Sequence, residues 1–208
     1  MRLVATSERL ATMRPVFLSV PLLLFASVAG ADVEKFAQPS DSRLKLVWWP
    51  KVEAPNGWHF DEQASYQNAF KAMAPDGFDF SNAETVLYAK ADFKPRFPEA
   101  KTIDALIERD IADFRASDVG AIVTKEKAVS TADGNRFKVV SFVPKVKGNW
   151  EQVAYGDEGE YYILFVVSSR THSGLSSAMP AFRALVSHYL ASSPINTTHE
   201  SYRDVSLR

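Results

Sequence analysis

Cysteine is absent from this chain of 208 residues. Its absence excludes thiol nucleophiles, disulfides, zinc–cysteine clusters and iron–sulfur ligation, along with any lipid-modified cysteine. Glycine is scarce at 9 residues, and no Gly-x-Gly-x-x-Gly occurs, so the loops that cradle nucleotide phosphates are missing. A basic surplus is lacking too: 24 Lys and Arg face 25 Asp and Glu, for a net charge of −1. Nucleic-acid binding, which leans on phosphate neutralisation, is set aside on that ground. The four histidines, His59, His172, His188 and His199, include no pair at i, i+4 and no His-Glu-x-x-His, which removes the usual zinc-hydrolase scaffold. No cofactor is expected.

What is present first is an N-terminal export pattern. Arg2, Arg9 and Arg14 give a basic start, Val16 to Val28 carries no charge, and Ala29-Gly30-Ala31 offers the small residues at which a signal peptidase cuts. Residues 1–31 read as a signal peptide, with Met13 as an alternative start that leaves a shorter, complete signal. A retained anchor is the competing reading. The uncharged run Pro15 to Ala31 sits at the short end of the ~17–25 residues a span needs, and Pro21 interrupts it. Cleavage near Ala31 removes three basic groups and one acid, leaving 21 against 24 and a net charge of −3. A mildly acidic periplasmic or secreted protein is expected, with no stable membrane span.

The whole chain is 46% apolar, with 14 Phe, 7 Tyr and 4 Trp, ample for a single core. Residues 32–42 read as a linker, 43–191 as one domain and 192–208 as a flexible tail. Leu44 to Pro50 has strand composition, and its neighbouring Trp48 and Trp49 must face opposite sides. A Pro-Asn-Gly turn leads to Trp58, after which the chain begins extended. Residues 68–75 read as a strand or a short helix, and Pro75-Asp76-Gly77 as a turn. Glu84 to Phe93 alternates and reads as a strand. Thr102 looks like the cap of a helix whose apolar stripe is Ile103, Leu106, Ile107, Ile111 and Phe114.

Strands are then expected over 121–131, 136–145, 149–156 and 160–169, the first two joined by a turn at Asp133-Gly134-Asn135 and the last two by an acidic tip at Asp157-Glu158-Gly159. Tyr161 to Val167 is apolar without alternation, the mark of a strand covered on both faces. A helix from Ser173 or Ser176 to Ala191 follows, with Pro180 expected to break its first turn from the rest. Two distant amphipathic helices and a doubly buried strand predict an α+β fold: a three-layer α/β/α sandwich around a largely antiparallel sheet.

Candidate chemistry is thin. His59 with Asp61 and Glu62 could start a metal site, but a third ligand is missing, and a solvated strand entry is the simpler reading. His172 beside Ser173 lacks a nucleophile elbow, and Ser173 or Ser176 reads more simply as a helix cap. Asp157, Glu158 and Glu160 lack the alternating oxygens of a calcium loop. The tryptophans remain: Trp49, Trp58 and Trp150, with His59 nearby, are the candidate binding surface.

The order of these features resembles the PsbP-like superfamily, which includes photosystem II extrinsic subunits, a Ran-binding nuclear import factor and small bacterial envelope proteins. The residues that carry the resemblance are "PNGW" at 55–58, the helix 102–118, "GDEGEYYILFVV" at 156–167 and the helix near 176–191, so it spans roughly 42–191. It implies a non-catalytic module that binds or stabilises a protein or cell-envelope partner. No family binding residue carries over beyond the Gly57-Trp58 corner. A small exported ligand-binding protein or hydrolase using His59, Asp61 and Glu62, or His172 and Ser173, is the alternative.

Overall fold

Tyr161 to Val167 has no polar side, and the computed structural model gives it none to present. The structure describes residues 33–40 and 43–190; the expected signal peptide 1–31, the expected tail 192–208 and His199 lie outside the described residues. The run belongs to β9 (Tyr161–Ser169), fourth in a seven-stranded antiparallel sheet. That sheet has the order β3 (Trp58–Phe60), β4 (Lys71–Pro75), β5 (Thr85–Phe93), β9, β8 (Trp150–Glu158), β7 (Arg136–Val143) and β6 (Ile122–Ser130). Alternate β9 side chains serve two cores. Ile163, Phe165 and Val167 join Leu87, Ala89 and Ala154 beneath Phe182, Leu185 and Val186 of α3 (His172–His188). Tyr162, Leu164 and Val166 join Val153 and Val140 beneath Leu106, Ile107 and Ile111 of α2 (Ile103–Ser117). The layers are therefore helix, sheet, helix, as predicted. Each large side chain buried this way contributes roughly 1.5–3 kcal/mol.

Both long helices begin on threonine caps. Thr102 Oγ1 accepts from the Ala105 amide at 3.1 Å, as expected. For α3 the cap is Thr171, accepting from Gly174 at 3.0 Å, rather than Ser173 or Ser176. Pro180 lies inside a continuous α3, so the expected break is absent. The contacts of Ala178, Phe182, Leu185 and Val186 with the sheet hold that helix across the proline.

Three further expectations change. Residues 33–40 of the expected linker form β1 (Val33–Ser40), paired antiparallel with β2 (Arg43–Pro50). β2 lies outside the main sheet, so its backbone groups need another ladder, and the polar segment supplies it. A third helix, α1 (Glu62–Asn68), follows the Trp58 corner, capped by Asp61, so the fold has more than one helix per face required; β4 is the strand reading of residues 68–75. Glu158 does not belong to a solvated tip. It pairs opposite Tyr161 in the ladder, is buried, and accepts from the Tyr189 hydroxyl at 2.9 Å.

The two neighbouring indoles behave as strand geometry demands. Trp48 stacks on Phe93 at 5.0 Å with the Arg96 guanidinium 4.3 Å over its ring, and Trp49 meets Tyr66 of α1 at 5.8 Å. Each is 8% exposed.

A candidate binding groove along the C-terminal helix

Two turns of the same make set one end of the site. Pro55-Asn56-Gly57-Trp58 closes with the Trp58 amide donating to the Pro55 carbonyl at 3.0 Å, and Pro75-Asp76-Gly77-Phe78 closes with Phe78 donating to Pro75 at 3.1 Å. Gly57 and Gly77 sit at φ +81° and +86°, the left-handed region such turns need at their third residue. Because Trp58 pairs with Pro75 across β3 and β4, both turns deliver an aromatic ring to the same corner. Trp58 and Phe78 line a cleft of about 560 Å³ whose far wall is the first turns of α3, including Ser173, Gly174 and Ser177.

The helix can come that close because residue 174 is glycine. A Cβ there would lie 2.5 Å from both Ser169 Oγ and Thr85 Oγ1, two hydroxyls already bonded to each other at 2.7 Å. Glu84 fixes the entry to α3, accepting from Thr171 Oγ1 and, through its carbonyl, from the Arg170 amide at 3.0 Å.

The cleft continues along α3. Trp58 and Ser177 also border a second cleft of about 530 Å³, walled by residues 53–56 on one side and Ala181, Ala184 and His188 on the other. Glu53, Leu185 and His188 then border a third, about 420 Å³, reaching Lys51 and Leu190. Together they form a groove between α3 and the segment 51–58. Ser173, Ser177, Ala181, Ala184 and His188 repeat at i, i+4, i+8, i+11 and i+15, so one stripe of α3 presents mostly small side chains to it. The stripe is visible on a helical wheel, but the stronger apolar stripe on the same helix masks it. Along the helix it spans about 22 Å. An extended chain at ~3.3 Å per residue would place six or seven residues there.

Of the candidate binding residues Trp49, Trp58, His59 and Trp150, Trp58 alone lines the groove; Ser173, from the hydrolase alternative, borders its Trp58 end. Trp49 is buried against α1. Trp150 is half-buried on β8 and packs on the His172 ring at 4.8 Å, next to the start of α3 rather than in the clefts. His59 lies on the same short strand as Trp58 but turns the other way, its Nδ1 3.5 Å from Asp76.

The alternative constellations are not assembled. Asp61 Oδ1 accepts from the Ala64 amide at 2.9 Å and Oδ2 from Phe80 at 3.0 Å. Those two amides hold its carboxyl below the usual range, despite some burial, and leave it a helix cap. Glu62 is exposed in the first turn of α1. Ser173 Oγ faces Thr171 Oγ1 at 3.1 Å while His172 stays on Trp150. None of His59, Asp61, Glu62 and His172 borders a groove cleft, and among the described residues no three metal-binding side chains converge.

The sequence matches no family model and no curated protein. Among solved structures, the chain is similar to the solution structure of cyanobacterial PsbP from Synechocystis sp. PCC 6803. The two are 14% identical with a TM-score of 0.38, over 80% of this chain and 96% of the other. The likeness is one of fold alone. The architecture above stands on the chain's own strand pairing and packing, and a fold of this kind hosts different tasks.

Proposed function

We propose that the protein is exported to the periplasm and works there without catalysis, holding an extended segment of a protein partner or envelope component in the α3 groove. The export reading rests on the basic, apolar and small-residue order of residues 1–31. Among the described residues no helix is long and apolar enough to cross a membrane.

One observation carries the binding reading: Trp58 is only half-buried and forms the wall shared by two adjoining clefts. A large rigid ring at the centre of a concave surface is the commonest kind of binding anchor. The length and small-residue lining of the groove suit a chain in extended form better than a compact ligand. No observation favours a hydrolase, since the residues it would need are capped, stacked or apart.

The test is capture from an envelope extract by the chain lacking residues 1–31, compared with its Trp58→Ala form, with circular dichroism confirming that both are folded. The reading expects a partner retained by the first and lost by the second. Equal recovery by the two forms would overturn it.

A further inference from the structure

The opposite face of the sheet carries a second concavity, and its chemistry is different. α2 is about 10 Å wide and cannot roof a sheet whose strands lie ~4.8 Å apart over seven positions. Where it stops short, a cleft of about 320 Å³ opens above β5, β9 and β8. Its apolar walls include Phe114 and Phe142, 4.9 Å apart, with Val153 and Val166. Its charged groups are three carboxylates, Asp110, Asp113 and Glu151, against one ammonium, Lys90.

Two of these four charges have an ionic partner. Lys90 is held by Asp92 at 2.9 Å. Asp110 is met by Arg109 at 3.2 Å and accepts from the Tyr155 hydroxyl at 3.2 Å. Glu151 accepts from Ser168 at 2.7 Å, and neither it nor Asp113 pairs with a cation among the described residues. The Tyr88 hydroxyl reaches the cleft from a half-buried ring stacked on Phe70 at 4.4 Å and makes no hydrogen bond within the described chain. That hydroxyl is left to bond water or an entering ligand. Burial also pushes the Glu151 carboxyl up, a penalty that an arriving positive charge would relieve. The carboxylates do not converge as a metal cage.

We infer that this cleft binds a small organic cation, a primary amine or guanidinium carried on an apolar body, with Glu151 and Asp113 facing the charge, the Tyr88 hydroxyl bonding the ligand, and Phe114, Phe142 and Val166 covering its hydrocarbon. This site is independent of the α3 groove. The volume lies at the small end of the ~300–1,000 Å³ of ligand pockets, so a ligand of one ring or a short chain fits.

The direct test is an NMR titration of the folded chain with 2-phenylethylamine, using 2-phenylethanol and 3-phenylpropionate as neutral and anionic controls. The amine should give saturable shifts confined to Tyr88, Phe114, Val153 and Val166, and bind about tenfold more tightly than the alcohol. Glu151→Gln should weaken it about tenfold. Asp113→Asn, at an exposed position that leaves folding intact, should weaken it two- to fivefold, on the scale of roughly 1 kcal/mol for an exposed charge. The inference is overturned if the alcohol or the acid binds as tightly, if the shifts map elsewhere, if neither substitution weakens the amine, or if nothing saturates by about 10 mM.

Discussion

Single atoms decide several features of this protein. Gly174 is the clearest: a methyl group there would meet two bonded hydroxyls at 2.5 Å, so Gly174→Ala should push α3 off the sheet edge. We expect a loss of about 1–3 kcal/mol in chemical denaturation, with the groove distorted at its Trp58 end. Ala69 poses the reverse case. It closes α1 at φ +60°, where a side chain is unfavourable, and Ala69→Gly should raise stability by roughly 0.5–1 kcal/mol.

Glu158 gives a pH signature. Burial, offset in part by the Tyr189 hydrogen bond and reinforced by Asp133 and Asp157, pushes its carboxyl up to about 7. The folded state then holds a proton that the unfolded chain releases near the ordinary glutamate value. Its contribution is therefore full in acid and fades as pH rises through about 7. Glu158→Gln should be more stable than the parent at pH 8, by on the order of 2 kcal/mol after allowing for solvent screening, with the gap closing toward pH 5. Urea melts at both pH values measure this. None of these three residues announced itself in sequence, because each depends on what lies across the fold: a hydroxyl pair, a helix end, a tyrosine hydroxyl.

Elements with a strong period were legible. α2 was found with its cap, its stripe and its boundaries, and the doubly apolar β9 was read as central from its composition alone. α1 was not, since Glu62 to Asn68 is short and its stability comes from the Asp61 cap and from packing under Trp49. β1 was missed for a similar reason: a polar strand whose ladder partner is outside the main sheet has no pattern to show. Pro180 misled because a proline in a helix costs about 3 kcal/mol in isolation, and the packed apolar face of α3 outweighs that. At this scale the sharpest prediction concerns β9. Phe165→Ala, fully buried among Phe137, Tyr189 and the helix above, should cost about 3–5 kcal/mol and leave a chain of ordinary stability close to unfolding.

For the whole molecule, one sheet is asked to do two things. On the α3 side the turns at residues 55–58 and 75–78, both of one make, bring Trp58 and Phe78 to a helix that bares small side chains. On the α2 side a single long helix leaves a polar pocket uncovered. The Pro-Asn-Gly corner was legible as a turn, but that its tryptophan forms a groove wall was not, since the opposite wall lies more than a hundred residues later. Trp49 and Trp150, equally prominent in sequence, are absorbed by α1 and by His172.

The groove is tested most directly by placing a photo-cross-linking residue at Ser177, inside it, and in parallel at Ala112 on the exposed side of α2, in the exporting cell. A discrete adduct from Ser177, missing from Ala112 and lost when Trp58→Ala is added, is the predicted result. Adducts that form equally at both positions, or that persist without the Trp58 ring, would contradict the α3 groove as the working surface.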